Sequence, residues 1–257
     1  EKRFPLEICF CPNCKLVQLN YAVPPEIMFK NYVYVSSTTN TFKLHFAKMA
    51  EEISKGFKLN EKSLVVDIGS NDGLLLKSFQ KFRVKAIGIE PATNVARIAE
   101  QNGIETINDF FNKNVVKKMI IKKGHADIVT ATNVFAHVDN IREFVRNVRL
   151  LLKENGIFII EVPYLVNMIE KMTFDTIYHE HLSYFSVISL VHLFKKFSML
   201  VFKIKKIDTH GGSLRVFVKK RKNDFEIDHS INSMIKNEKN IGIDNFELYK
   251  KFTDKVY

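Results

Sequence analysis

Three stretches of this 257-residue chain combine residue types and spacings that can do chemistry. The first is Val65-Val66-Asp67-Ile68-Gly69-Ser70-Asn71-Asp72-Gly73, an apolar run that ends in an acid and opens into a glycine turn. Glycine lets a ligand approach bare backbone. A dinucleotide-binding turn carries a glycine series whose middle member admits a pyrophosphate. Here Asn71 stands two residues after Gly69, and Asp72 adds negative charge. A pyrophosphate is repelled by that turn, whereas a sulfonium carrying an amino group is tolerated. Glu90 follows at the spacing where an acid accepts the two hydroxyls of an adenosine ribose. Asp109-Phe110 offers a carboxylate for an adenine amino group and a ring to stack on it. Asn133-Val134-Phe135-Ala136-His137 closes a further apolar run. Asp67, Gly69, Ser70, Asn71, Gly73, Glu90, Asp109, Phe110 and Asn133 together predict an S-adenosylmethionine site in preference to a nicotinamide one.

The second stretch is Tyr178-His179-Glu180-His181. Histidine titrates at about 6.5 and can act as a general base at neutral pH. The two imidazoles are not at the i, i+4 spacing that puts a metal pair on one helix face, so no metal is expected there. A plain core or surface histidine pair is the alternative. His210-Gly211-Gly212-Ser213 is either an edge turn or a place where a ligand phosphate reaches backbone N–H groups. The third stretch holds all three cysteines, Cys9, Cys11 and Cys14. Cys11-Pro12-Asn13-Cys14 supplies half of a tetrahedral zinc set, and a redox pair or an accident of composition fits it equally. Cysteines confined to one end do not make a secreted disulfide scaffold, so a reducing, cytoplasmic setting is expected.

These residues need a frame, and the apolar patterning predicts one. Ser63–Ile68, Val84–Ile89, Ile104–Ile107, Ala126–Thr132 and Gly156–Val162 read as short strands buried on both faces. They alternate with helical stretches at Phe42–Phe57, Leu74–Phe82, Thr93–Asn102, Asn112–Ile121 and Ile141–Leu152, with Gly103 as a helix stop. The expected fold is α/β and Rossmann-like, a mainly parallel sheet with helices on both faces. Met199–Ile207 and Ser213–Lys220 predict an antiparallel edge pair after a helix at Val187–Phe197. Residues 225–257 read as helical.

The composition supports a folded chain: 46% hydrophobic, 26% charged, and no apolar run long enough to span a membrane. Lys plus Arg number 39 against 28 Asp plus Glu, a net charge of +11. The excess sits at element ends, as in Lys117-Lys118, Lys122-Lys123, Lys205-Lys206 and Lys219-Lys220-Arg221-Lys222, and reads as a solvated surface or as attraction for an anionic substrate. No nucleic-acid-binding string accompanies it, so neither nucleic acid nor membrane is an expected partner.

Four stretches carry a family resemblance: Cys11 through Leu19, Tyr32-Val33-Tyr34-Val35-Ser36-Ser37-Thr38, the Asp67–Gly73 turn, and Tyr178-His179-Glu180-His181 with His210-Gly211-Gly212-Ser213-Leu214-Arg215. In these the chain resembles the sugar C-methyltransferases, specifically those that methylate C3 of 4-keto deoxysugar nucleotides. The resemblance implies a zinc-binding N-terminal module, a central S-adenosylmethionine-dependent domain of the class I methyltransferase fold and a third α/β domain. Residues 1–31 are expected to be a remnant of the zinc module, 32–222 the methyltransferase domain, and 223–257 a helical lead into a C-terminal domain that is missing. Cys11 and Cys14 match the second cysteine pair of the module. The first pair is absent, and Lys15 replaces the usual glycine. Tyr32, His137, Tyr178, Glu180 and His181 fall on positions that line the sugar pocket. Asp67, Gly69, Glu90 and Asp109 fall on cofactor positions, and Tyr34, His210 and Arg215 are expected to bind the nucleotide-linked keto sugar, Arg215 at its diphosphate. The implied reaction is removal of the C3 proton by His181 or His137, followed by methyl transfer to carbon. Methylation of oxygen or nitrogen of another small molecule, or a non-catalytic module of the same fold, are the rival readings.

Overall fold

The computed structural model of the protein describes residues 3–221 and 229–256. Lys222 and the start of the expected terminal helix, at residues 222–228, lie outside the described residues, as does the side chain of His210. In chain order the elements are strands β1 (Ile8–Phe10) and β2 (Val17–Leu19), helices α1 (Pro25–Phe29) and α2 (Asn40–Gly56), strand β3 (Leu64–Ile68), helix α3 (Leu74–Gln80), strand β4 (Lys85–Ile89), helix α4 (Thr93–Gln101), strand β5 (Glu105–Ile107) and helix α5 (Lys113–Lys123). Then come β6 (Ala126–Thr132), α6 (Ile141–Leu151), β7 (Leu152–Pro163), α7 (Leu165–Glu170), β8 (Ser183–Tyr184), α8 (Val187–Lys196), β9 (Met199–Ile207), β10 (Ser213–Lys220), α9 (His229–Ile241) and α10 (Phe246–Val256).

A seven-stranded sheet has the order β5-β4-β3-β6-β7-β10-β9, and a three-stranded sheet the order β1-β2-β8. β3 pairs in parallel with β4 and β6, and β4 with β5; Asp67 lies opposite Gly88 and Thr130. β9 and β10 pair antiparallel, Ser213 opposite Ile207. The expected class, a mainly parallel sheet with an antiparallel edge pair, is borne out. Contacts divide the chain into two compact units, one of residues 24–131 and 146–158, the other of residues 1–23, 132–145 and 159–257.

In the first unit every residue of β3 is buried, as a strand covered on both faces requires. On α2, Phe46, Met49, Ala50 and Ile53 are buried, the spacing of one helix face. Thr39 caps α2 by accepting the Phe42 N–H, and Asn112 caps α5 by accepting the N–H groups of Asn114 and Val115. Gly73, at φ 79°, opens α3; a Cβ there would lie 2.8 Å from Ile104 Cγ1, so the turn needs glycine for both conformation and space.

In the second unit, Lys203 and Lys206 are exposed on edge strand β9, which guards an open edge against unwanted pairing. Lys203 and Lys219 sit over the Phe217 and Phe202 rings at 5.4 and 5.1 Å. Helix α8 starts in a capping box between Ser186 and Ser189. Its next two N–H groups, of Val187 and Ile188, donate to the Glu238 carboxylate of α9 at 2.6 and 2.9 Å. Glu238 is fully buried, and the Tyr164 hydroxyl faces it. Glu238→Ala strips two donors at a helix start of their acceptor and is expected to cost about 2–4 kcal/mol of stability. Glu238→Gln, which keeps an acceptor oxygen, should cost less. Urea denaturation checks both, and an alanine variant as stable as the wild type would refute the cap.

Several elements escape the sequence patterning. β1, β2 and β8 have two or three residues each, too few for alternation to register. β7 begins at Leu152, not at Gly156. The terminal helical stretch is broken between α9 and α10 by Gly242 at φ 90°, a left-handed stop.

Candidate active site

Within the first unit the β3 elbow is a tight nest of backbone and carboxylates. Gly69 and Asn71 both have positive φ, 65° and 51°. The N–H groups of Gly69 and Ser70 donate to the Ile89 carbonyl at 2.8 and 3.3 Å, which docks the elbow on the end of β4. Asp67 is buried and accepts the Thr130 hydroxyl at 2.6 Å. Glu90 is buried, and each of its oxygens accepts one backbone N–H at 2.8 Å, Oε2 from Asn71 and Oε1 from Ala92. Burial raises its pKa, and those two N–H groups pull it back down. Asn108 braces the neighbouring turn: its Nδ2 donates to the carbonyls of Glu90 and Pro91. Asp109 and Phe110 follow on the exposed side, the Phe110 N–H donating to Asp109 Oδ1 at 2.7 Å.

Two buried atoms of this elbow, Ser70 Oγ and Asp72 Oδ1, have no hydrogen-bond partner. A buried polar atom without a partner is costly and rare. Three acids and two unsatisfied acceptor atoms suit a ligand that brings hydroxyls, amino groups and positive charge. The donor set therefore fits S-adenosylmethionine and opposes a pyrophosphate.

The second unit holds the histidine cluster. His181 Nδ1 lies 2.8 Å from the Thr176 carbonyl. A carbonyl only accepts, so Nδ1 carries the proton and Nε2 keeps its lone pair. That lone pair receives the Tyr178 hydroxyl at 3.1 Å. Burial lowers the His181 pKa, against the Thr176 hydrogen bond, and so favours neutral imidazole. Burial, then the Glu180 charge, raises the pKa of Tyr178 and keeps its hydroxyl protonated. The His137 and His181 rings lie 5.2 Å apart. The buried Tyr184 ring stands edge-on to His181 at 6.5 Å, its hydroxyl pushed strongly toward the neutral form by burial.

A cleft opens beside His181 and is lined among others by Tyr164, Asn167, Thr173, Thr176, Tyr184 and Gly212. Gly212, at φ 121°, is pressed against the Asn167 amide: a Cβ there would come 2.5 Å from Nδ2. The Gly211-Gly212 pair thus makes room for an amide in the cleft wall. Asn133 also belongs to this unit. It is left-handed at φ 56°, donates its N–H to the Glu161 carbonyl at 2.9 Å, and has a buried Oδ1 with no partner.

A family model described as "Methyltransferase domain" matches residues 43–198. The chain belongs to the methyltransferase domain family. Two further models match the methyltransferase in the expected order, "Putative zinc binding domain" at residues 1–29 and "C-methyltransferase C-terminal domain" at residues 208–257. It is 35% identical over 98% of its length to the C-methyltransferase NovU of Streptomyces niveus, of which it covers 60%. The chain thus spans about three-fifths of the length of that curated relative. It is 30% identical over 47% of its length to a ubiquinone biosynthesis O-methyltransferase of Rhodopseudomonas palustris strain TIE-1, covering 50% of that protein. Among solved structures it shares the fold of the magnesium protoporphyrin IX methyltransferase ChlM from Synechocystis PCC 6803, with a TM-score of 0.54, 10% identity and coverage of 69% of this chain and 82% of that one. The resemblance to the C-methyltransferases and the class I fold are borne out.

The residues of the methyltransferase's N-terminal hairpin do not complete a zinc site. Cys11 and Cys14 lie on the turn between β1 and β2, the Cys14 N–H lowering the Cys11 pKa and burial raising that of Cys14. Among the described residues no group of three His, Cys, Asp or Glu could hold a metal ion. The pair offers half of a tetrahedral set.

The structure brings Tyr178, His181 and His137 together, and Asp67, Gly69, Ser70, Asn71, Gly73 and Glu90 together. Arg215 is buried, and its Nε pairs with the fully buried Glu161 at 2.6 Å. Patterning missed Thr176, which sets the His181 tautomer, and Asn167, for which the Gly211-Gly212 doublet was the one signal. No helix among the described residues is long and apolar enough to cross a membrane.

Proposed function

We propose that this chain carries the catalytic part of an S-adenosylmethionine-dependent C-methyltransferase acting on a 4-keto deoxysugar nucleotide. The observation that carries the reading is the His181 lone pair, on a neutral imidazole beside the Tyr178 hydroxyl in the wall of a cleft. Methylation of oxygen needs no base directed at carbon. A keto group at C4 acidifies C3–H, and His181 Nε2 takes that proton while its Nδ1–H stays on the Thr176 carbonyl. The C–H electrons pass into the enolate, whose oxygen receives the Tyr178 hydroxyl as it leaves Nε2; such a donor aimed at developing charge is often the largest catalytic contribution. S-adenosylmethionine, when bound at the elbow residues, would supply the electrophilic methyl that C3 of the enolate takes, the S–CH3 bond breaking to leave a neutral thioether. Glu90 holds the ribose hydroxyls through the second lone pairs of its oxygens, and Asp109 with Phe110 receives the adenine. Glu180 orients Tyr178 or a sugar hydroxyl, His137 supports His181, and Tyr32, Tyr34 and His210 contact the acceptor. The Asn167 amide is a further acceptor-binding group. Residues 1–31 belong to the zinc-binding module, 32–222 form the methyltransferase domain, and the setting is cytoplasmic.

Incubation with S-adenosylmethionine and a panel of 4-keto sugar nucleotides should yield one added methyl by mass. Solvent deuterium should enter C3 of the accepted sugar when the methyl donor is withheld. A methyl found on oxygen, with no exchange at C3, would overturn the reading in favour of an O-methyltransferase. Glu90→Gln should weaken S-adenosylhomocysteine binding about tenfold or more, since an acceptor of charge-assisted hydrogen bonds is lost; calorimetry reads it, and undiminished affinity would remove Glu90 from the cofactor site.

A further inference from the structure

The segment Tyr32–Ser37 lies along the β3 elbow as a strap, and side chains of the elbow and α4 fasten it by its backbone. Asn71 Oδ1 accepts the Ser36 N–H at 2.9 Å, and its Nδ2 donates to the Tyr34 carbonyl at 2.9 Å. Asp72 Oδ2 accepts the Ser37 N–H at 3.0 Å. Asn94 grips both backbone groups of Tyr32, Oδ1 accepting its N–H at 3.1 Å and Nδ2 donating to its carbonyl at 2.7 Å. The fastening is polar and nearly all of it goes to backbone. Ring contacts of Tyr32 with Phe29 at 5.9 Å and of Tyr34 with Phe42 at 6.3 Å add to it, while Val33 between them is 95% exposed.

Asn71 ties this strap to the cofactor elbow through a single residue. Its left-handed backbone turns its N–H onto Glu90 and its side chain onto the strap. Asp72 likewise presents one carboxylate oxygen to the strap and leaves the other buried and unpartnered in the elbow. A ligand that engages Glu90 and Asp72 therefore stiffens the two side chains that hold Ser36 and Ser37. In the other direction, a fastened strap presets those side chains for the ligand.

We infer that Asn71 and Asn94 are positioning residues: they do not bind the cofactor with their side chains but fasten the strap that carries Tyr32 and Tyr34, so that cofactor occupancy and strap order rise together. This rests on the cofactor site proposed above and goes beyond it, because it gives two asparagine side chains a role in coupling instead of recognition.

Amide hydrogen exchange of the full chain, with and without S-adenosylhomocysteine, tests it alongside calorimetry. In the wild type the ligand should slow exchange of a peptide spanning residues 32–38 by about tenfold. Asn71→Gly keeps the left-handed turn but removes the clamp; exchange there should be fast without ligand and remain unslowed with it. Asn94→Ala should weaken S-adenosylhomocysteine about three- to tenfold although its partner is the Tyr32 backbone, and should raise the KM for the methyl donor. Asn94→Asp, which keeps the acceptor for the Tyr32 N–H, should restore part of the affinity. Ligand binding that leaves exchange at 32–38 unchanged, or wild-type affinity in Asn94→Ala, overturns the coupling while the cofactor site stands. Failure of the wild type to bind the ligand at all overturns the proposed function and the coupling with it.

Discussion

Replacing His181 with alanine is expected to lower methyl-transfer turnover by about 10²–10⁴-fold, the range of a lost general base. The S-adenosylhomocysteine affinity should stay within about threefold of the wild type, since that side chain is assigned to the acceptor and not to the cofactor. The pH profile distinguishes this base from an ordinary imidazole. A base must be unprotonated, so the rate falls as pH drops through its pKa. Burial depresses the His181 pKa below the usual value of about 6.5. The acidic limb of kcat/KM should therefore lie below that value, and activity should be flat above it until another group titrates. Tyr178→Phe removes the hydroxyl that donates to the neutral Nε2 and should reduce turnover while moving that limb toward higher pH. A His181→Ala enzyme that still exchanges C3 hydrogen with solvent at the wild-type rate would transfer the role to His137.

The largest effect on stability is expected at Arg215. Its side chain is 5% exposed and that of Glu161 1%, with Nε 2.6 Å from Oε1. Burying the pair costs each ion its water, and their attraction with further hydrogen bonds offsets that cost. Arg215→Met leaves a carboxylate buried without its cation, and about 3–5 kcal/mol should be lost. The double variant Arg215→Met with Glu161→Leu removes both charges and should recover much of that loss, because the desolvation penalty goes with them. Urea unfolding of the two single variants and the double one closes the cycle. A single variant that unfolds within about 1 kcal/mol of the wild type would show that Glu161 finds compensation elsewhere.

Arg215 also shows why a residue type at a matching position does not settle its role. Next to Gly211-Gly212, in a chain of net charge +11, an arginine looks like a phosphate anchor. Its partner, however, is Glu161, 54 positions earlier. The alternation that buries a residue of β10 is visible in Leu214, Val216 and Val218, yet all of Ser213 through Val218 is buried. A strand covered on both faces gives its inward and outward residues the same burial, so patterning alone could not place the guanidinium.

What the amino-acid sequence determined by itself is the local grammar of this methyltransferase. Buried β-branched runs make β3, β4 and β6, Asn112 and Gly124 bound α5, and the acid–glycine elbow after β3 forms where Asp67 through Gly73 predict it. These features follow from φ/ψ preferences, caps and periodicity, which act over a few residues. The tertiary structure decided the rest. It fixed the His181 tautomer by setting a carbonyl against Nδ1, and placed the Asn167 amide against Gly212 in the cleft. It tied the strap to Asn71 across 35 positions and the start of α8 to Glu238 across 51. Each depends on the direction of a side chain relative to a partner distant in the chain, and packing of the whole unit sets that direction.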